Sequence, residues 1–412
     1  MNILHVLNAA DGGATSSAIG LVKASRREES GVNHFAVYPG IDSTQAITSA
    51  FHDSASIPMR WWAKNVRAGY LRRPIRWMLD VRRTRFDSLP RQELLRCIDK
   101  WKIDIVHTNT ALNRDGAIVA KKLGIPHIWH IRESIGKAGT QQFYESNRSL
   151  AHYIADHSKY IVPVSNYTAK IFYDNDLAKK TIVVNNAIDV EEYRSEYNRL
   201  SGIELRKLLR IEPGESLVAM VAPFGSMVKR HDLFLNMAAE LIKTKNNVKI
   251  AIFGAVPKAG TWLWRNSYDY YLGLVKQMSY LGLSDKILMP GHYPSTSIMN
   301  AINLLVHPCP QEGFGRIAIE AMAAGRPVVG PLEGGISEIV KDGETGYLVD
   351  MNNSNLAAEK IHSILADSSL YTKFSNAGLS KTNKLYSDKK LLQIMLEIYQ
   401  NSTSSGLSAI AQ

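Results

Sequence analysis

Two glutamates eight positions apart, Glu312 and Glu320, bracket a glycine-rich turn in the string HPCPQEGFGRIAIEAMAAGRPVVG that begins at His307. Paired carboxylates serve general acid and base chemistry, but eight residues of helix would hold these about 12 Å apart at ~1.5 Å per residue. A glycosidase pair needs about 5–9.5 Å. Carboxylates this far apart suit opposite ends of one long ligand, and what lies between them suits an anion. Gly313 and Gly315 let the backbone approach a ligand closely. A helix starting near Gly315 presents N–H groups at its positive dipole end, where phosphate is the natural guest.

To place these groups the chain needs a strand ending at His307 and a helix running on to Ala324, and the same alternation recurs along its length. ILHVLNAADGGATSSAIGLVKAS, from Ile3, reads as strand, glycine turn at Gly12-Gly13, and helix. β-Branched runs at 103–107, 127–130, 160–164 and 181–184 continue the series. A charged stretch at 191–210 suits a linker, after which strands are expected at 216–221, 248–253, 287–289, 302–307 and 327–329. Strands alternating with helices imply a parallel sheet covered on both faces, with ligands at the carboxyl ends of its strands. The fold class expected is α/β, with two Rossmann-like parallel-sheet domains facing across a cleft. Residues 1–198 form the first and 199–384 the second, a final helix at 385–402 crosses back to the first, and a Ser-rich tail at 403–412 frays.

The string from Glu312 to Gly346 resembles the retaining nucleotide-sugar glycosyltransferases of the GT-B fold, in particular family 4. Their signature is E-x(7)-E within an E-G-F-G…E-A-M-A-x-G-x-P-V-V…G-G…E context. Asn185-Asn186-Ala187-Ile188-Asp189 is similar to the family's N-G-V-D segment, Val164-Ser165 to its V-S, Gly291-His292 to its F-x-G-H turn and Gly12-Gly13 to its first loop. The resemblance implies that Glu320 binds the ribose hydroxyls and Glu312 hydroxyls of the donor sugar. It implies backbone contacts to sugar and diphosphate from Gly313, Phe314, Gly315, Arg316 and Ile317, with Gly12, Gly13 and His292 also on the donor side. Lys229 would neutralise the leaving phosphate, and His130 would lie near the donor's anomeric carbon, with Arg132 and Glu133 beside it. One departure stands out: the family's G-R-L-x-x-x-K-G becomes Ala222-Pro223-Phe224-Gly225-Ser226-Met227-Val228-Lys229-Arg230. The expected arginine is missing, so Arg230 or Arg316 replaces it, or Lys229 carries the charge alone.

Composition bounds the reading. With 412 residues there is chain for two or three domains. Cys97 and Cys309 make neither a disulfide framework nor a zinc quartet, so a reducing compartment and no metal are expected. No G-x-G-x-x-G and no G-x(4)-G-K-[ST] occurs, against dehydrogenase and P-loop readings. Asp174-Asn175-Asp176 has a D-x-D form but falls in a loop of the wrong architecture. The net charge is +11, from 49 Lys and Arg against 38 Asp and Glu. Residues 59–86 hold nine cations against Asp80 alone, interleaved with Trp61, Trp62, Tyr70, Trp77 and Phe86. Such a segment either dips its tryptophans into lipid headgroups over an anionic membrane surface or packs them into the domain. No nucleic-acid motif accompanies it. No run reaches the ~18 apolar residues of a membrane span, and Met1-Asn2-Ile3 opens into a strand without a basic leader. The expected location is cytoplasmic, peripheral at the inner face of the membrane.

The expectation is therefore a metal-independent, retaining hexosyltransferase with no cofactor. Its partners are a nucleotide diphosphate sugar as co-substrate and a hydroxyl of a glycan or lipid-linked glycan as acceptor. A nucleotide-sugar epimerase or hydrolase, and a non-catalytic nucleotide-sugar-binding protein, are the alternatives.

Overall fold

The computed structural model describes residues 1–40, 45–59, 61–63, 89–136, 141–244, 247–258 and 265–404. The chain divides into two compact units, Met1–Ala187 with Asp388–Gln412, and Ile188–Ser387. The division precedes the expected boundary at 198, which falls inside the helix Glu196–Leu208.

In the first unit, strands β1 (Asn2–Val6), β2 (Asn33–Tyr38), β3 (Asp53–Ser56), β4 (Ile105–Thr108), β5 (His127–Ile131) and β6 (Tyr160–Pro163) form a parallel sheet. Their order is β3-β2-β1-β4-β5-β6. In the second, β7 (Ser216–Val221), β8 (Val248–Phe253), β9 (Ile287–Gly291), β10 (Leu304–Val306), β11 (Val328–Pro331) and β12 (Gly346–Val349) are ordered β12-β11-β10-β7-β8-β9. All pairings are parallel, so each unit is a Rossmann-like α/β layer structure. Strand order reverses between β1 and β4 and between β7 and β10, which makes two topological switch points.

Central strands such as β4 and β10 are buried at every residue, as expected where helices cover both faces of a sheet. The second unit packs Phe224, Phe234, Ile250, Leu304, Ile361 and Phe374 into one core. Each fully buried side chain of this size contributes about 1.5–3 kcal/mol. The helix Asp388–Thr403 completes the first unit instead, burying Leu391, Leu392, Met395, Ile398 and Tyr399 against Ile3, Ile105 and Val162.

Some elements differ from expectation. The run at 181–184 forms no regular ladder; Ile182 N–H donates to Ile161 O and Val184 N–H to Pro163 O alongside β6. The charged stretch after Asp189 is two helices, Val190–Arg194 and Glu196–Leu208. Their charges lie on an exposed side, while Tyr193, Asn198, Gly202 and Leu205 are buried. Gly202 is required by close packing, since a Cβ there would stand 2.6 Å from the Asn300 carbonyl carbon.

Of the basic segment 59–86, most lies outside the described residues. Trp62 packs in the first unit with Trp129, Phe143 and Leu150, while Trp61 is half exposed and donates its indole N–H to Asn8 O. Packing is therefore the outcome for Trp62. Among the described residues no helix is long and apolar enough to cross a membrane.

The first sheet also buries a row of histidines. Asn109 Nδ2 lies 3.2 Å from His5 Nδ1, His5 Nε2 lies 3.0 Å from His34 Nδ1, and His34 Nε2 lies 2.8 Å from Ser25 Oγ. An amide N–H donating at one end sets each imidazole neutral, receiving on Nδ1 and donating from Nε2. Burial pushes His34 down to about 3, assisted by the charges of His52 and Arg26. His127, held by Thr108 and Ser158, is likewise pushed to about 3 by burial.

Candidate active site

The second unit's switch point carries the chemistry. β10 ends at Val306, and His307, Cys309 and Glu312 follow on the loop that leads into the helix Arg316–Ala323. From the other side of the switch, β7 leads through Phe224 into a short helical turn, Met227–Lys229. The two loops meet where Lys229 Nζ donates to Glu312 Oε2 at 2.5 Å. His307 Nε2 lies 3.5 Å from the same oxygen, a close approach without hydrogen-bond geometry.

Gly315 stands at φ +95°, a conformation that favours glycine, and turns the chain into the helix without a side-chain cap. The N–H groups of Arg316 and Ile317 begin that helix and have no earlier turn to bind. Behind the turn, Gly335 N–H donates to Glu312 O at 2.8 Å. Gly334 and Gly335 press against it so closely that a Cβ at Gly335 would stand 2.4 Å from Phe314 Cα. Phe314 is buried and meets Tyr386 edge-on at 5.8 Å. The loop is thus held from beneath by glycine backbone and by one aromatic anchor.

One turn into the helix, Glu320 is buried. Arg316 Nε approaches its Oε1 at 3.1 Å, again without hydrogen-bond alignment. Ser295 donates to Oε2, and the Tyr193 hydroxyl also bonds the carboxylate. The two glutamates are set oppositely. Burial would raise Glu312, but the Lys229 ammonium, with His307, holds its carboxyl well below the usual carboxylate range. Burial raises Glu320 despite Arg316, Ser295 and Tyr193. Burial also opposes the charge on Lys229, yet Glu312 lifts its pKa above the ordinary ammonium value.

Each cation of the site is paired. Arg230, at φ +56°, clasps Asp232 through Nε and Nη2 at 2.9–3.3 Å, Arg316 faces Glu320 and Lys229 faces Glu312. His292 is exposed on the loop after β9. Gly313 is buried and Ile317 half-buried on the loop and helix start.

In the first unit, Gly12 at φ +91° precedes the helix Gly13–Arg27 after β1. A Cβ at either glycine meets nothing within 4 Å, so the turn is open. His130, one residue before the end of β5, is 2% exposed, with Nδ1 3.3 Å from His107 Nε2. Its Nε2 has no hydrogen-bond partner among the described residues. Burial, then Arg132 and His5, keep it neutral. Arg132 donates to Asn109 O and to Asn186, the residue that replaces the family's usual glycine. Glu133 is turned inward to accept the Ala111 N–H at 3.0 Å.

Sequence reasoning missed Tyr193, Ser295, His307 and Gly335. Tyr193 and Ser295 reach Glu320 from distant segments, which no local pattern reports. His307 was visible five positions before Glu312, and Gly335 stood in the quoted G-G pair.

Two α/β units, each a six-stranded parallel sheet, with a loop and helix start at the second unit's switch point and carboxylates at its two ends, define the fold and site of a GT-B glycosyltransferase. The family model for glycosyl transferases group 1 matches residues 203–381, and that for glycosyltransferase family 4 matches residues 12–192. The chain belongs to this glycosyltransferase family. It is 25% identical over 307 residues to the uncharacterized glycosyltransferase MJ1178 of Methanocaldococcus jannaschii, covering 74% of this chain and 77% of that one. It is 27% identical over 274 residues to the D-inositol 3-phosphate glycosyltransferase of Nocardia farcinica, covering 65% of this chain and 55% of that one. The match therefore spans just over half the length of the latter. A crystal structure of Anabaena Alr3699/HepE in complex with UDP and glucose shares the fold, with a TM-score of 0.75 at 18% identity, covering 97% of this chain and 100% of that one.

Proposed function

We propose that this protein moves a hexose-type sugar from a nucleotide diphosphate sugar to a hydroxyl of a glycan or lipid-linked glycan, with retention at the anomeric carbon and no required metal. The observation that carries the reading is the pairing of Lys229 with Glu312 at the mouth of an uncapped helix start, with Glu320 buried one turn beyond. A diphosphate is matched by the N–H groups of Arg316 and Ile317 and the Lys229 ammonium. Glu320, already accepting from Ser295 and Tyr193, is suited to accept from a ribose diol. Glu312, ionised throughout the physiological range, accepts from sugar hydroxyls.

In this scheme the bond from the anomeric carbon to the phosphate oxygen breaks as the acceptor oxygen bonds on the same face. The acceptor's proton passes to the departing phosphate. Donors held in place before charge develops supply the largest share of the acceleration. Neutral His130 steadies the electron-poor sugar. Lys229, which shares Glu312 at the mouth of the helix start, is the principal side-chain cation for the leaving group, while Arg230 is turned onto Asp232 and Arg316 onto Glu320. The first unit binds the acceptor, and the cationic segment 59–86 brings the enzyme to an anionic membrane surface at the cytoplasmic face.

The test is a thermal-shift panel of UDP-, GDP- and ADP-sugars, followed by incubation with glycan and lipid-linked acceptors and with D-inositol 3-phosphate. A ligand at 100 times its Kd adds about 2.7 kcal/mol to stability, so the right donor raises Tm clearly. Transfer with retention supports the reading. Failure of every donor to shift Tm overturns it, as does isomerisation or acceptor-insensitive hydrolysis of the donor.

A further inference from the structure

His307, Cys309 and Glu312 lie on one short loop, and one nitrogen, one sulfur and one oxygen of these side chains all fall within 4.8 Å of one another. Nothing in the transfer scheme uses the thiol. His307 is 4% exposed, and its Nε2 has no hydrogen-bond partner among the described residues although it is aimed at Glu312. A buried, orphaned imidazole nitrogen is costly unless something binds it. Cys309 is fully buried, and burial with the Glu312 charge pushes its thiol up to about 11, so only a bound cation would hold it as thiolate; the Gln311 N–H directed at its sulfur is the kind of outer support that orients such a ligand.

Tetrahedral zinc takes thiolate at about 2.3 Å, imidazole at about 2.0–2.1 Å and carboxylate at about 2.0–2.2 Å. Those bonds place the three ligand atoms roughly 3.4–3.6 Å apart. The His307 to Glu312 separation of 3.5 Å already fits. With the ligand atoms at most 4.8 Å apart, the sulfur needs to close by no more than about 1.2–1.4 Å to reach those separations. Soft sulfur with borderline nitrogen selects zinc-like cations over magnesium, which prefers oxygen and its own waters.

We propose that His307, Cys309 and Glu312 form a binding site for a thiophilic divalent cation of the zinc class, occupied in competition with the Lys229 ammonium. On binding, the Cys309 S–H bond breaks, the sulfur's electron pair goes to the metal, and the proton leaves to solvent. Metal and Lys229 contend for the same Glu312 oxygen. Occupancy therefore parts the Lys229 to Glu312 pair and turns the site off. That consequence, unlike the binding itself, rests on the proposed function.

The experiment uses the full chain, stripped with chelator, and the metals alone. Co²⁺ should produce a near-ultraviolet thiolate-to-cobalt band in the wild type and in Cys97→Ser, and none in Cys309→Ser. Losing even an outer-shell partner costs about 10–100-fold in metal affinity, so Cys309→Ser should weaken Zn²⁺ at least ~100-fold against a chromophoric chelator. Lys229→Gln, which removes the competitor, should tighten Zn²⁺ by about 5–10-fold. Millimolar Mg²⁺ should displace nothing. A wild-type protein without the band, a band that survives in Cys309→Ser, or Zn²⁺ affinity unaffected by either substitution overturns the proposal. The spectrum is independent of the reaction catalysed, so its failure is distinguishable from failure of the transferase reading.

Discussion

Replacing Gly335 with alanine adds one methyl group where the structure leaves no room for it. The backbone there is ordinary right-handed helix, φ −62° and ψ −23°, so alanine meets no conformational penalty and the effect is purely one of space. The added carbon would stand 2.4 Å from Phe314 Cα, 2.5 Å from Gly313 O and 2.7 Å from Phe314 N, all backbone atoms that no rotamer change can move aside. Ordinary contact begins near 3.4 Å, so the loop from Gly313 to Gly315 must retreat by about 1 Å. Overpacking of this kind costs about 1–3 kcal/mol of stability. A 1 Å displacement of positioning groups can cost ~100-fold in rate, because Gly313, Phe314 and Gly315 carry the turn that presents the anion site. The assay is release of nucleoside diphosphate from the donor found in the panel, read as kcat/KM, beside thermal unfolding. Gly273→Ala is the control: it lies in the helix Arg265–Tyr280 with nothing within 4 Å of the new carbon. It should stabilise by up to ~1 kcal/mol and leave the rate unchanged. If Gly335→Ala keeps kcat/KM within ~3-fold of wild type, the claim that this loop's placement governs activity is wrong, since a 1 Å shift should cost far more.

Two further outcomes can be checked. Glu320→Gln exchanges a charged acceptor for a neutral one; hydrogen bonds to charged groups are worth about 1.5–3 kcal/mol, so nucleoside diphosphate should bind at least ~10-fold more weakly. Inorganic pyrophosphate, which has no ribose, should bind as before, and equal weakening of both would remove Glu320 from the nucleoside end. Two buried histidines, His34 of the row and His127 beside Thr108, should make the first unit acid-labile: both titrate near 3 when folded but near 6.5 when unfolded, so below that value the unfolded chain binds more protons. Stability is then full above pH ~6.5 and declines as pH falls, by up to about 1.4 kcal/mol per pH unit for each histidine. Urea unfolding at successive pH values should show a shallower decline in His34→Gln, and an unaltered slope would remove His34 from the acid response.

What the sequence disclosed follows from how local each signal is. β7 and β8 match their expected limits because long apolar runs flanked by polar residues can be little else. β2 was hidden because its NHFAVY carries two polar residues first, and the edge strand β3, DSAS, has almost no apolar face. The charged run after Asp189 reads as a linker because the buried side of its second helix is Asn198, Gly202 and Leu205, two of which no hydrophobic pattern scores. The site's central string was legible since its turn, its helix start and both carboxylates are contiguous. Lys229, 83 residues away, was named through the family resemblance, but its pairing with Glu312 was not, and Ser295, 25 residues from Glu320, was not legible at all, because contacts between distant segments leave no local pattern. The pairing of Arg230 with Asp232 could not be read from a missing arginine either. It requires the left-handed turn at Arg230 to fold the guanidinium back.

The first unit's core is closed by Leu391, Leu392, Met395, Ile398 and Tyr399, residues separated from the rest of that unit by the whole of Ile188–Ser387. During synthesis, chains emerge N-terminus first at about 5–20 residues per second. The two hundred residues of Ile188–Ser387 at that pace impose a wait of roughly 10–40 s between the first unit's sheet and the helix that seals it. Through that interval Ile3, Ile105 and Val162 lack their cover, and the second unit has its complete sequence first. The order of translation is thus the reverse of the order in which the two cores can be finished, and the half-made first unit is the species on which a chaperone would act.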